Sequence, residues 1–227
     1  MSDTRHDWAE FVPRPAIERV PRSLDEEALV LTERPPYWEY LFFAGVLRRE
    51  MQKLESRWRD HELGYVEPHG QNLTLDQAVE TLSTAFAAAL ARTSNVNRIF
   101  APESVERAIG APGEPGNSDQ IEHLARRLVD VYAGLLEWAA EMRGALVPPV
   151  CTNAFETASR FVDRPIRQIR EFVDLTVSEI ERIPAWRRDP NREPLRLELT
   201  LTLSIDESVQ SEMFMELERL RTLGSLS

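Results

Sequence analysis

Hydrophobic residues recur along most of this chain in steps of three and four, the spacing that gathers one face of an α-helix. Tyr37, Tyr40, Ala44, Leu47, Met51, Leu54, Trp58 and His61 form the first such stripe and predict a helix from about Tyr37 to Leu63, ended by Gly64. Leu41, Phe42 and Val46 widen the stripe in its first half, so that end is apolar on several faces. Core packing accounts for this, as would partial burial by a partner. A second stripe, Ala78, Val79, Leu82, Ala85, Phe86, Ala89 and Leu90, predicts a helix from Leu75 to Thr93. Thr74 and Gln77 before it have the spacing of a capping box, in which each side chain satisfies a backbone donor near the other. A short helix is expected after Pro102, stopping at Gly110. The stretch Gly110 to Gly116, with Pro112 and Pro115, reads as a linker.

Two longer stripes follow. Ile121, Leu124, Ala125, Leu128, Val129, Tyr132, Leu135, Leu136 and Ala139 predict a helix from Asp119 to Arg143, opened by Asn117 or Ser118. After the Pro148–Pro149 break, Phe155, Ala158, Val162, Ile166, Ile169, Val173, Thr176, Ile180 and Ile183 predict one from Ala154 to Ile183, capped by Asn153 and Glu156. Pro165 lies inside it. Because proline lacks the amide N–H and clashes with the preceding turn, a kink or break is expected near Val162–Arg164.

One segment breaks the helical rule. Leu195, Leu197, Leu199, Leu201, Leu203 and Ile205 are apolar, and Arg196, Glu198, Thr200, Thr202 and Ser204 between them are polar. That strict period of two predicts a β-strand with one buried face. A strand needs lateral hydrogen bonds, and the other strand candidates, at 10–12, 28–32 and 145–147, are much shorter. Two pairings stay open: a small sheet within the chain, or antiparallel pairing with a second copy, in which one register sets Arg196 opposite Glu198. A final helix from Glu207 to Leu223, capped by Ser204 or Asp206, completes the reading.

The expected fold is therefore mainly α. Residues 1–35 read as a proline-rich arm with one short helix from Leu24 to Leu31, opened by Ser23 and Glu26. Residues 36–193 read as an antiparallel bundle of four to five amphipathic helices. Residues 194–227 read as a strand–helix element packed on the bundle or on a second subunit.

Composition narrows the partners. The 227 residues carry 27 basic and 38 acidic side chains, a net charge of −11, which disfavours a nucleic-acid partner and an anionic membrane surface. The longest apolar run, Tyr40 to Leu47, is far short of a membrane span. Cys151 is the only cysteine, so no intrachain disulfide can form. A cytoplasmic protein is the expectation, with no cofactor.

Candidate chemistry is sparse. His61, Glu62, Glu67 and His69 are of the right types to bind zinc or iron, but their spacing matches no established metal motif, and His61 also continues an apolar stripe. His61, Glu62 and His123 mark where a small-molecule or metal pocket would lie. Asp119 and His123 are one helical turn apart, as a base and its orienting carboxylate could be; acids in a first turn also simply complement the dipole. Cys151 reads as a small buried hydrophobe. Arg160, Arg164 and Arg167 on one helical face, with Trp186, Arg187 and Arg188 in the loop before the strand, could grip an acidic protein partner. The plainer reading is a solvated surface with ion pairs to Asp163, Glu171 and Asp189. The leading expectation is thus a non-enzymatic interaction or regulatory module, a homodimer formed through Leu197, Leu199, Thr200, Leu201, Leu203 and the last helix. The second is a bundle with a ligand or metal pocket.

Overall fold

The computed structural model describes residues 37–60, 72–110, 116–188 and 199–225. These residues are mainly helical. Among them are seven α-helices: α1 (Tyr37–Asp60), α2 (Leu75–Ile99), α3 (Pro102–Ile109), α4 (Ser118–Gly144), α5 (Thr152–Phe161), α6 (Asp163–Arg188) and α7 (Glu207–Gly224). A single 3-10 turn, Pro149–Cys151, leads into α5. No described helix is long and apolar enough to cross a membrane. The N-terminal arm, the Leu24–Leu31 helix and the end of the first predicted helix beyond residue 60 lie outside the described residues.

Helix boundaries follow from local chemistry. Thr74 and Gln77 form the reciprocal capping box: the Thr74 N–H donates to Gln77 Oε1 at 2.9 Å, and the Gln77 N–H to Thr74 Oγ1 at 3.3 Å. Asn117 Oδ1 accepts the Gln120 N–H at 3.2 Å and opens α4. Asp206 caps α7 by accepting from the N–H groups of Ser208 and Val209. Gly110 closes α3 at φ 91°, a left-handed backbone that only glycine adopts without strain.

The helix predicted from Ala154 to Ile183 is broken where Pro165 requires it. Val162, at φ −100° and ψ 1°, leaves the helical region and separates α5 from α6. Pro165 then sits in the first turn of α6, where its missing N–H leaves no helical bond unmade. The expected cap at Asn153 does not form. The 3-10 turn feeds directly into α5 without a side-chain cap, and Asn153 donates instead to Glu216 on α7. α2 runs on to Ile99, six residues past its expected end at Thr93. The Thr93 hydroxyl bonds back to the Ala89 and Leu90 carbonyls, and buried Val96 prolongs the apolar stripe. α6 likewise runs through Pro184 to Arg188.

The main departure is at the predicted strand. Residues 199–206 carry no regular secondary structure, and no strand occurs among the described residues; Leu195 to Glu198 lie outside them. The period of two nevertheless survives in the burial, with Leu199, Leu201 and Leu203 only 2%, 8% and 3% exposed and Thr202 exposed between them. Two residues of this segment meet hydrogen-bonding groups on helix α6 and at the end of α2. Ser204 is held twice by the amide of Gln168, its N–H donating to Oε1 at 2.9 Å and its hydroxyl accepting from Nε2 at 3.2 Å. The Leu201 N–H reaches the Phe100 carbonyl at 3.4 Å.

The chain divides into two compact units, each drawn from three stretches. The first unit comprises residues 1–55, 97–129 and 170–202. Its core holds the start of α1, where every residue from Glu39 to Leu47 is buried within this chain. Phe43, Phe100 and Phe172 meet there edge to face, with ring centroids 5.8 to 6.3 Å apart. On its surface Arg49 and Arg126 bridge Glu50 of α1 and Glu122 of α4. The second unit comprises 56–96, 130–169 and 203–227. A line of aromatic contacts runs through it from Phe214 to Phe86, Phe161 and Trp138. Here α7 packs along α5 and buries Met213, Leu217 and Leu220.

The Gln168 amide thus takes the place of a neighbouring strand for the Ser204 N–H. Gln168→Ala is expected to lower unfolding stability by about 1–2 kcal/mol, the range for removing one partner of a partly buried hydrogen bond, measured as a shift of the urea midpoint. An unchanged midpoint would mean that apolar burial alone holds the segment.

Candidate functional site

Two places concentrate polar chemistry, one in each unit. In the first unit the Glu39 carboxylate enters the core from the first turn of α1 and is only 6% exposed. Its Oε1 accepts the Gly116 N–H at 3.0 Å, which ties the start of α1 to the residue two before α4. Gly116 is required by the closeness of this approach. A Cβ there would lie 2.5 Å from Glu39 Cγ and 2.5 Å from the Ile109 carbonyl oxygen. Burial pushes the Glu39 carboxyl above its ordinary value of 4.5, opposed by the Gly116 N–H and its own backbone N–H. Next to it, burial pushes the Tyr40 phenol up to about 12, against the hydrogen bond it shares with Thr176. A buried acid and a buried phenol held this way make a rigid polar island.

In the second unit α7 is fixed to α5 by a ladder of charged and polar pairs. Glu212 Oε1 accepts the Thr157 hydroxyl at 2.8 Å, and the Arg160 guanidinium grips both carboxylate oxygens at 3.0 and 3.2 Å. One turn on, Glu216 accepts from Asn153 at 2.8 Å and from Arg219 at 2.6 Å, and Arg219 also donates to the Val150 carbonyl at 2.8 Å. The Arg219 bonds come first among the causes that hold Glu216 below its ordinary value. On the opposite flank Arg221 pairs with Glu218 at 2.9 Å and reaches the Ser83 hydroxyl on α2 at 3.4 Å. Beside it a shallow cleft of about 280 Å³ is lined by Asp76, Val79, Glu80, Leu220, Arg221 and Gly224.

Three sides of α7 are therefore used: a core side with Met213, Leu217 and Leu220, an α5 side and an α2 side. The fourth faces outward and is not wholly polar. Phe214 is 50% exposed although one edge rests on Phe86, and Met215 is 66% exposed. Both stand on a helix capped by Asp206, and Leu175 on α6 is exposed to a similar degree, at 63%.

No protein-family model, curated protein or solved structure matches the chain. The reading therefore rests on the molecule's own geometry.

Several predicted site residues have definite places. Of the arginine patch, Arg160 lies on α5 and is committed to Glu212 of α7, whereas Arg164 and Arg167 are exposed on α6. The break at Val162 separates the first of these from the other two. Trp186, Arg187 and Arg188 close α6 and do not form a loop, because the helix continues through Pro184. Leu199, Leu201 and Leu203 are buried in their own chain. Cys151 is buried and unpaired, and burial raises its thiol above the ordinary range, the inert behaviour expected of a core cysteine. Asp119 and His123 are exposed at the start of α4. His61, Glu62, Glu67, His69 and Leu197 lie outside the described residues, and among the described ones no group of three acids, cysteines or histidines is placed to hold a metal ion. The residues missed from sequence were Glu39, Glu212, Phe214 and Met215. Met213, Phe214 and Met215 stand in a row, and a helix that buries one of three adjacent large side chains must display another.

Glu39 gives a pH test. A raised folded-state value means that its contribution to stability is complete below the unfolded value and is lost as pH rises through the folded value. Glu39→Gln keeps an acceptor for Gly116 without a charge to desolvate. The variant is expected to match wild type below about pH 4.5 and to exceed it at pH 8. Urea unfolding at both pH values measures this, and a variant that is weaker at pH 8 contradicts the assignment.

Proposed function

We propose that this protein is a non-enzymatic interaction or regulatory module, a helical bundle of the cytoplasm that associates with a second copy of itself through its C-terminal element. The observation that carries the reading is the pair Phe214 and Met215, held half or more exposed on a helix whose other three sides are occupied. Keeping such residues outward gains nothing for a lone chain, whereas burying them between two copies removes apolar surface from water at about 25 cal/mol per Å². Within the C-terminal element the contact falls to α7. The leucines of the preceding segment are already buried in their own chain, and their burial positions the helix that follows.

A module of this kind works by bringing two copies, and whatever each carries, to a fixed spacing. The polar ladder to α5 supports such a role, because it stiffens the presenting helix before any partner arrives and so lowers the ordering cost of association. Arg164 and Arg167 stay available on α6 for an acidic protein partner.

Light scattering over a concentration series tests the proposal. Wild type is expected to approach twice the 26.1 kDa chain mass. Met215→Glu, which places a charge in the contact, is expected to weaken association by tenfold or more, about 1.4 kcal/mol or above, while leaving the thermal unfolding of the chain unchanged. A wild type that stays at the monomer mass throughout overturns the reading.

A further inference from the structure

We draw no further inference here: the strongest candidate, the shallow cleft where Asp76 and Glu80 of α2 stand beside Leu220 and Arg221 of α7, rests on an acidic pair alone, with nothing beside it in the structure that points to a ligand.

Discussion

The placement of the C-terminal helix begins with the Gln168 side-chain amide, which holds the Ser204 N–H and hydroxyl. An extended segment has no partners of its own, and buried amides left unmet cost 1–3 kcal/mol each. In this protein a side-chain amide on α6 accepts the Ser204 N–H, as a neighbouring strand would, and donates to its hydroxyl. Two residues later Asp206 turns its carboxylate onto the N–H groups of Ser208 and Val209 and starts α7. The direction in which α7 leaves is thus fixed within three residues. The ladder from Glu212 and Glu216 to α5 keeps it on course, and the buried side chains Met213, Leu217 and Leu220 fix its rotation. The exposure of Met215 follows from that rotation, since it stands two positions from both Met213 and Leu217, a turn of about 200° on a helix.

Much of the helical framework was legible in the sequence because its causes are local. The Thr74–Gln77 box, the break before Pro165 and the Asp206 cap each depend on residues within four positions of one another, and all three stand where the spacing put them. What failed was longer in range. The alternation from Leu195 to Ile205 matches the burial of Leu199, Leu201 and Leu203, while residues 199–205 show no strand, since period two requires extended backbone and not a second strand. The stripe that predicts α2 ends at Leu90, short of the helix's end at Ile99. The hydroxyl of Thr93 is satisfied by the preceding turn, and Val96 had burial to gain from continuing. The candidate site was hardly legible at all. Arg160 had Asp163 as its nearest sequence choice and took Glu212 instead, fifty-two positions away, and Glu39 bonds a residue seventy-seven positions distant.

The two polar features differ in kind, and the difference bears on function. The ladder on α7 lies at the surface, where the Arg160–Glu212 pair joins groups that are 52% and 36% exposed and such pairs contribute roughly 0–1 kcal/mol. Its effect is orientation, because Glu212, Glu216 and Arg219 of α7 must all be in register with α5 and the turn before it for the contacts to form. Glu39 is buried, costs desolvation, and is tolerated because it ties two stretches of chain where Gly116 leaves no room for anything but backbone. A hydrophobic side chain could fill its volume, but could not accept the Gly116 N–H. The acid is thus explained by backbone satisfaction within its own unit, and no ligand has to be invoked for it.

Apolar exposure on α7 is harder to account for inside one chain. Phe214 could have been drawn fully against Phe86 by a modest rotation of the helix, at 5.0 Å between ring centroids already. That rotation would break the register with Thr157, Asn153 and Val150 and lift Met213 or Leu217 out of the core. The helix is held by its inner contacts in the one rotation that leaves Phe214 and Met215 outward. A surface fixed in this way is preorganised, so whatever binds it need not order it first, and the cost that usually separates buried area from affinity is partly met before contact.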